Sequence, residues 1–254
     1  MSILTANNLT KVYGEKKGDY TTKALNGIDL QVEEGDFIAI MGPSGSGKST
    51  LVSILSGIMT PTGGSVEIGG SRIDKMDQYE MALFRRRKLG FVFQEFNLLD
   101  NLTLKENIML PMVLDKKESR YMNEKALEIM KLFEIDQLAD KHPYQISGGQ
   151  QQRAAVSRAL VNDPVILFAD EPTGNLDSKS ALAVMTSFER INQERRGTAL
   201  IVTHDVFAAS FCKKVIFIKD GKIFMDIVKK GSRKEFFDQI LDCQVIVGGE
   251  NNDL

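Results

Sequence analysis

The sequence predicts an α/β fold in which a mostly parallel sheet is interrupted by an inserted helical block. Short all-apolar runs such as FIAIM (37–41) and VILFA (165–169) are typical of strands that are buried on both faces of a parallel sheet. Stretches with helical apolar spacing lie between these strands, and most of the segment 94–160 is of this helical kind.

The predicted elements follow in order along the chain. SILTANNL, GIDLQV and FIAIM are β-rich, and TLVSILSGI then has the apolar spacing of a helix. SVEIGG and LGFVFQ are further predicted strands, and TLKENIMLP and NEKALEIMKLFEI are the helices of the inserted block. VILFAD, ALIVT, VIFIKDG and KIFMDIV complete the sheet around a helix over 178–196, and a helix with a polar tail comes last.

The composition of the chain argues against several classes of protein. The 254 residues include 32 basic and 34 acidic ones, a formal net charge of −2 that argues against nonspecific nucleic-acid binding. The basic run 85–88 is expected to be a solvated helix face. Two cysteines without a metal-ligand spacing predict neither a disulfide nor a zinc framework and fit a reduced cytosol. We expect no signal peptide and no membrane span, because no apolar run exceeds five residues.

GPSGSGKST at 42–50 fits the phosphate-binding pattern G-x-x-x-x-G-K-[ST]. Glycines let backbone N–H groups turn toward phosphate oxygens, and the following helix adds its positive dipole end. Lys48 is expected to reach the β- and γ-phosphates, and the Ser49 hydroxyl to bind Mg²⁺. A flexible Gly/Ser turn is the plainer interpretation, but the strand–loop–helix context favours nucleotide binding. The predicted nucleotide-binding residues here are Gly42, Pro43, Ser44, Gly45, Ser46, Gly47, Lys48, Ser49 and Thr50.

VILFADE at 165–171 ends a predicted buried strand with two acidic residues. Asp170 is expected to hold Mg²⁺, usually through water, and Glu171 to polarise the attacking water. An acidic pair that merely ends a strand before Pro172 is the alternative. The phosphate-binding loop earlier in the chain favours the catalytic interpretation.

ISGGQQQR at 146–153 is a second glycine-rich start of a helix. Ser147 and Gln150 fit an S-x-x-Q capping box, which accounts for these two residues without a ligand. Gly148 and Gly149 lower the stability of the first helical turn, so we expect their bare backbone to approach an anion. Since one chain need not bring both segments to the same nucleotide, we expect segment 147–150 to complete the site of a partner in a two-fold dimer.

GPSGSGKST, FVFQ, ISGGQQQR, VILFADE, NLD and TH occur in this order over about residues 1–230. In this combination the chain resembles the ATP-binding subunit of ABC transporters. The resemblance implies a RecA-like P-loop NTPase core with an N-terminal antiparallel β subdomain, over 1–93 and 160–230. It also implies an inserted α-helical subdomain over 94–159 that carries the signature motif, and a C-terminal helix and tail over 231–254.

The resemblance implies roles for four more residues. Tyr13 matches the aromatic that stacks on adenine, with an ordinary strand aromatic as the alternative. Gln94 matches the glutamine that touches Mg²⁺ and the attacking water, and His204 matches the histidine that contacts the γ-phosphate. Asp177 matches the aspartate at the dimer seam, although segment 174–177 reads Gly-Asn-Leu-Asp where the family often has Ser-Ala-Leu-Asp. The predicted catalytic residues are Glu171, His204, Gln94 and Lys48; the predicted metal ligands are Ser49, Gln94 and Asp170.

The segment FNLLDNLTLKENIMLPM is similar to the MacB/LolD-like branch of this family. EFFDQILDCQVIVGGENNDL and VTHDVFAASFCKKVIFIKDGKIF look like the ATPases of Bce-type transporters, which act in resistance to bacitracin and other cell-wall-active peptides. This resemblance implies that two copies close over two ATP with Mg²⁺ and power a separate integral-membrane permease. It places the protein at the cytoplasmic face of the membrane through that permease, and it implies a two-component sensor kinase as a further partner.

The alternatives differ in how well the sequence separates them. Another MacB/LolD-like system, for lipoprotein release or mechanical signalling, would use the same ATPase and stays open. A soluble ABC ATPase acting on nucleic acid or ribosomes usually has long coiled coils or tandem domains, and this sequence has neither sustained heptads nor a second motif set. A P-loop GTPase needs a guanine-binding N-K-x-D motif, which is missing, and neither it nor a P-loop kinase has a place for ISGGQ.

Overall fold

The computed structural model describes residues 2–14 and 21–249. The strands in these residues are β1 (Ser2–Tyr13), β2 (Thr22–Glu33), β3 (Phe37–Met41), β4 (Gly63–Ile68), β5 (Ser71–Arg72), β6 (Leu89–Val92), β7 (Ile166–Asp170), β8 (Ala199–Val202), β9 (Lys214–Lys219) and β10 (Lys222–Val228). The α-helices are α1 (Lys48–Leu55), α2 (Gln78–Lys88), α3 (Leu104–Leu114), α4 (Ser119–Leu132), α5 (Gly148–Leu160), α6 (Ser178–Arg195), α7 (Val206–Ala209) and α8 (Arg233–Gly248).

The main sheet has the strand order β10-β9-β3-β8-β7-β6. Its inner pairs are all parallel, and only β10 pairs antiparallel, with β9 at one edge. This confirms the predicted mostly parallel sheet. Because parallel strands end at the same edge, the segments that follow β3, β7 and β8 come together there.

The two faces of the main sheet are buried against different layers, because successive side chains of a strand point to opposite faces. On β3, Phe37, Ala39 and Met41 belong to a buried cluster shared with helices α3 to α6. Ile38 and Ile40 belong to a second cluster shared with α1 and the smaller sheet. Burial on both sides explains why these strands are apolar throughout.

The smaller sheet has the order β2-β1-β4-β5, and every pair in it is antiparallel. It confirms the expected N-terminal antiparallel β subdomain. Its inward side chains, Leu4, Leu9, Leu25 and Val66 among them, pack on the same face of the main sheet as α1. The phosphate-binding loop and its helix therefore lie between two sheets.

The helical block contains α3, α4 and α5. Helix α3 runs through Pro111 to Leu114, beyond the proline at which the predicted helical run stopped. The fully buried Asn107 fastens the segment before α3, because its side chain accepts from Leu99 N and donates to the carbonyl oxygens of Leu99, Leu102 and Thr103. The division into 1–93 with 160–230, 94–159 and 231–254 remains a proposal, and residues 250–254 of the predicted tail lie outside the described residues.

The basic run 85–88, expected to be a solvated helix face, is exposed at Arg87 and Lys88 and partly exposed at Arg85 and Arg86. Arg86 Nη1 donates to the Leu114 carbonyl oxygen at 3.0 Å, and Arg87 forms an ion pair with Asp115 at 3.0 Å. Both contacts join α2 to the C-terminal end of α3, where unsatisfied carbonyl groups favour cations. Arg86 and Arg87 thus join the core to the helical block, whereas Arg85 donates to the Gly57 carbonyl oxygen within the core.

The last helices complete the large buried cluster. Helix α7, which the sequence did not predict, is capped by Asp205 and is only four residues long. Helix α8 was predicted and packs through Phe236, Ile240, Cys243 and Val247. No helix within residues 2–14 and 21–249 combines the length and the apolar character that crossing a membrane requires.

Candidate functional site

The phosphate-binding loop turns sharply between β3 and α1. Gly42, Gly45 and Gly47 have φ values of 150°, 76° and 102°, which side chains other than glycine rarely adopt. A Cβ atom on Gly42 would lie 2.1 Å from the Ile218 carbonyl oxygen, and one on Gly47 would lie 2.4 Å from the Ala24 carbonyl oxygen. The loop is therefore pressed against the ends of neighbouring strands, and only glycine fits.

The N-terminus of α1 has no side-chain cap. Gly47 occupies the N-cap position, and no side chain within 2–14 and 21–249 forms a capping hydrogen bond there. The N–H groups of the first helical turn are then available to an anion, which the helix dipole also favours. This is the backbone geometry that the loop motif predicted.

Lys48 lies folded over this loop. Its Nζ donates to the carbonyl oxygens of Gly42 and Pro43, both at 2.8 Å. Burial lowers the pKa of the ammonium group, while the nearby Glu171 and Asp170 charges act in the opposite direction. A cation thus lies where the phosphates of a nucleotide held by the loop would need one.

Two carboxylates follow β7 at the same edge of the sheet. Burial, followed by the neighbouring Glu171 charge, raises the pKa of Asp170, and Lys48 and the Ser49 hydroxyl partly offset this rise. Asp170 Oδ1 and Glu171 Oε2 are buried, and neither has a hydrogen-bond partner among the described residues. Buried carboxylate oxygens without partners are costly, and a bound cation would satisfy them.

Glu171 and His204 are brought together by the pairing of β7 with β8. The Glu171 N–H donates to the Val202 carbonyl oxygen at 2.9 Å, and the residue has a left-handed φ of 48°. Its Oε1 then lies 2.8 Å from His204 Nδ1. The His204 side chain is 71% exposed, so its ring is free to face a ligand above the sheet edge.

A cavity of about 380 Å³ lies between these groups. It unites most of the phosphate-binding loop with Glu171 and His204, which follow β7 and β8. Its lining is Ala24, Gly42, Ser44, Gly45, Gly47, Lys48, Ser49, Thr50, Glu171 and His204. Ala24 was not predicted, because a backbone contact between β2 and the loop leaves no chemical signal in the sequence.

Tyr13 lies at the end of β1 beside α1. Its side chain is 40% exposed, and its hydroxyl group lies 3.3 Å from Thr50 Oγ1 and 3.1 Å from Met59 Sδ. The Lys11 ammonium lies over its ring, 5.4 Å from the centroid. A partly exposed ring next to the phosphate-binding helix fits the predicted stacking on adenine, which stays a prediction.

Gln94 and Asp177 both lie outside the lining of that cavity, and Gln94 contacts the segment 174–175 shortly before Asp177. A Cβ atom on Gly174 would lie 3.1 Å from Gln94 Nε2, so the two residues are close neighbours. Asn175 Nδ2 donates to the Gln94 carbonyl oxygen at 3.4 Å. Asp177 caps α6 by accepting hydrogen bonds from Ser180 N and Oγ, the latter at 2.6 Å. These bonds lower the pKa of Asp177. Its place at a dimer seam stays a prediction.

Segment 147–150 begins α5 with the predicted capping box. Ser147 Oγ accepts from Gln150 N at 3.4 Å, and Gln150 Oε1 accepts from Ser147 N at 2.9 Å. Gly149 has a packing reason, because a Cβ there would lie 2.5 Å from Ser180 Oγ. A Cβ on Gly148 would meet only ordinary contacts at 3.6 Å, so the phosphate interpretation rests mainly on Gly148.

Two polar residues of α5 escaped the sequence analysis. The side chain of Gln152 is fully buried and donates to the Pro172 carbonyl oxygen at 2.8 Å, one residue beyond Glu171. Arg158 donates to backbone carbonyl groups just after Gln94. Gln152 falls among the buried alanines of α5, so a polar residue on the apolar side of a predicted helix was the available signal.

Comparisons with known proteins agree with this arrangement. A family model described as ABC transporter matches residues 25–174. The uncharacterized ABC transporter ATP-binding protein YvcR of Bacillus subtilis is 49% identical over 98% of this chain and 96% of its own length. The bacitracin export ATP-binding protein BceA of Halalkalibacterium halodurans is 47% identical over the full length of both. The dimeric, ADP- and Pi-bound structure of the ATP-binding cassette MJ0796 of Methanocaldococcus jannaschii superposes with a TM-score of 0.81, at 39% identity over 90% of this chain and 100% of that one.

Proposed function

The chain belongs to the ABC transporter family as one of its ATPases, and we propose that it powers a separate permease in resistance to cell-wall-active peptides such as bacitracin. The observation that carries the ATPase part is the convergence of Lys48, Glu171 and His204 on one cavity beside an uncapped helix N-terminus. The peptide-resistance part rests on the resemblance to Bce-type proteins along the whole chain.

In the proposed mechanism, the phosphates of ATP bind the loop between β3 and α1. The N–H groups of the first turn of α1 and the Lys48 ammonium would neutralise the β- and γ-phosphates. For this, Lys48 Nζ exchanges its two carbonyl contacts for phosphate oxygens, which are stronger partners for a cation. Tyr13, beside Thr50, would stack on the adenine ring.

The residues present fit a Mg²⁺ ion carried by the nucleotide. No cluster of three or more metal-binding side chains occurs in residues 2–14 and 21–249. Mg²⁺ in nucleotide sites is usually held by one or two protein oxygens together with phosphates and water. Ser49 and Asp170 would supply these oxygens, with Gln94 as a further ligand, and the ion would neutralise charge that develops on the phosphates.

Glu171 is the proposed general base. Its buried carboxylate would accept a proton from the attacking water, and His204, 2.8 Å away, would orient that carboxylate and contact the γ-phosphate. The left-handed backbone of Glu171 holds this side chain at the edge of the sheet. Gln94 would position the water from the other side.

We propose that two copies close over two nucleotides, as the dimeric form of the similar MJ0796 cassette suggests. The start of α5, at 147–150, would then contact the γ-phosphate bound by the partner, with Gly148 providing the close backbone approach. Asp177, at the start of α6, would lie near the same seam. Closure and reopening would be the movement passed on to the permease.

An apolar groove of about 500 Å³ offers a place for that permease. It lies between α2, β6 and the C-terminal end of α3, where the core meets the helical block, so closure would change its shape. The apolar residues that line it include Leu89, Phe91, Phe93, Leu110, Pro111 and Leu114. Docking there would hold the protein at the cytoplasmic face of the membrane.

A pull-down from detergent-solubilised membranes of the source organism tests the partner. Tagged Glu171→Gln protein, incubated with ATP and Mg²⁺, is expected to retain an integral-membrane permease that mass spectrometry identifies. Leu114→Glu in the groove should lose the permease, and Val113→Glu, equally exposed but outside the groove, should keep it. Recovery of no permease with any variant would reject a transporter subunit. The relatives named above do not point to a sensor kinase, so its recovery would be a separate finding.

Bacitracin susceptibility tests the substrate class. A strain that lacks the protein is expected to be more susceptible, and wild-type protein but not Glu171→Gln should restore growth. A macrolide and a detergent serve as comparison compounds, because general envelope damage would alter susceptibility to all three. Unchanged bacitracin susceptibility in the strain that lacks the protein would point instead to another transport or signalling role.

A further inference from the structure

The loop after Gln94 has an unusual backbone. Phe96 and Asn97 have φ values of 56° and 50°, and they are the only consecutive non-glycine residues of the described chain in the left-handed region. Each such residue costs about 1 kcal/mol or more unless surrounding contacts hold it. Something must therefore stabilise the loop in this form.

Arg158 supplies that contact from the last turn of α5. Its Nη2 donates to the Phe96 carbonyl oxygen at 2.9 Å, and its Nη1 donates to the Asn97 carbonyl oxygen. The planar guanidinium presents two N–H groups in a fixed fork, so one side chain can hold two successive carbonyl groups. The guanidinium is largely buried, and burial lowers the pKa of Arg158, which makes these two bonds the main compensation for its charge.

The other end of α5 contacts the same loop. A Cβ on Gly148 would lie 3.6 Å from the Phe96 ring, so the first residue of the helix packs beside that side chain. The start of α5 at Gly148 therefore lies beside the loop, and Arg158 near the end of α5 binds it. Gln94 lies only two residues before Phe96, so the path of the backbone at Phe96 bears directly on where Gln94 lies.

We propose that Arg158 is a positioning residue for Gln94: its two hydrogen bonds fix the backbone of the loop just after Gln94, and with it the position from which Gln94 acts on the nucleotide. This inference rests on the role proposed above for Gln94 in placing the attacking water. The alternative is that Arg158 only fastens α5 to a surface loop. The two possibilities differ in whether the effects of changing Arg158 and Gln94 on the hydrolysis rate depend on each other.

The test is a double-mutant cycle on the full-length chain, with ATP hydrolysis, ATP affinity and Tm measured for each variant. Arg158→Met keeps most of the apolar stem and removes both hydrogen bonds. We expect kcat to fall about 10- to 100-fold, because misplacement of a reacting group by about 1 Å has effects of this size, while ATP affinity stays unchanged. Arg158→Lys, which retains the charge but not the fork, should fold and lie between wild type and Arg158→Met.

The decisive comparison is the double variant Arg158→Met/Gln94→Ala. If Arg158 acts through Gln94, this variant hydrolyses ATP no more slowly than Gln94→Ala alone. Independent effects that multiply would overturn the inference. A normal rate for Gln94→Ala would overturn both this inference and the role of Gln94, whereas the ATPase assignment would still stand on Glu171→Gln.

Arg153 provides the matched control. It lies on the same helix and donates from Nη1 to a backbone carbonyl oxygen, that of Phe133, at 3.0 Å, but this contact lies within the helical block. Arg153→Met should lower Tm, because it removes the hydrogen bond to the Phe133 carbonyl oxygen. Its effect on kcat should be independent of Gln94→Ala, and an equal interdependence for both arginines would count against a specific role of Arg158.

Discussion

The two glycine-rich helix starts of this protein look alike in sequence and differ in structure. The loop 42–47 leaves α1 without a side-chain cap, and its glycines are required by positive φ and by contact with neighbouring strands. Segment 147–150 begins α5 with a complete capping box, and Gly149 is packed against Ser180. The start of α1 is therefore open to a nucleotide bound by the same chain. The start of α5 is closed by its own side chains, except at Gly148.

This difference shows that a glycine before a helix has at least two physical causes. One is exposure of backbone N–H groups to an anion, and the other is close contact with another helix. The pattern alone does not separate them. Substitutions at the first site should have the largest effects, and alanine at Gly148 and Gly149 then separates the two causes in the second segment.

Glu171→Gln removes the base from the first site and should cause the largest change. The substitution is nearly isosteric, so ATP binding should persist while hydrolysis slows by about 10²- to 10⁴-fold. Single-turnover hydrolysis and ATP titration measure the two quantities. Glu194→Gln, on the exposed surface of α6 and ion-paired with Arg190, is the control and should hydrolyse normally. Near-normal turnover of Glu171→Gln would remove Glu171 from the base role.

Lys48→Ala should weaken nucleotide binding itself. Hydrogen bonds to charged groups contribute about 1.5–3 kcal/mol, so the Kd for ATP should rise on the order of 10- to 100-fold. Lys213→Ala is a close control, because its Nζ also donates to a backbone carbonyl oxygen, that of Gly35 at 3.0 Å, away from the cavity. Equal ATP affinity of Lys48→Ala and Lys213→Ala would contradict the proposed phosphate site.

Alanine at Gly149 and at Gly148 separates packing from ligand contact in the second segment. Gly149→Ala would force a Cβ against Ser180, and overpacking of this kind costs about 1–3 kcal/mol, so Tm should fall by several degrees. Gly148→Ala has room and should leave Tm nearly unchanged, yet hydrolysis should slow if a partner's phosphate approaches this backbone. Normal hydrolysis and normal Tm for Gly148→Ala would leave only packing and capping as functions of the segment.

Strands that are buried on both faces and residues whose chemistry is local to one loop were predictable from the sequence. FIAIM and VILFAD were recognisable as strands because both faces of β3 and β7 are buried, and Lys48 and Ser49 were recognisable because their chemistry is local to one loop. The four residues of α7 are too short for a periodic signal. The antiparallel sheet came from the family resemblance, since pairing between distant strands leaves little trace in either segment.

Contacts between distant residues were also beyond reach. Arg87 and Asp115, or Arg158 and Asn97, are far apart in the chain, and each residue alone looks like ordinary surface charge or loop. The sequence favours anion binding at Gly149, because it cannot show that Gly149 packs against Ser180 on another helix. The sequence thus showed which groups could do chemistry, whereas the structure showed which of them were already engaged.

The smallest expected effect concerns the cap of the second segment. Ser147→Ala and Ser232→Ala each remove the hydroxyl group that caps a helix by accepting a hydrogen bond, from Gln150 N and from Glu235 N respectively. Loss of such a cap costs about 1 kcal/mol, so both should lower Tm by a few degrees. Only Ser147→Ala should also alter the cooperativity of ATP hydrolysis, because only Ser147 would face a partner's nucleotide. If both variants lose stability equally and hydrolyse ATP equally well, Ser147 is a helix cap and nothing more, and any contact with the partner's nucleotide is left to the backbone of Gly148.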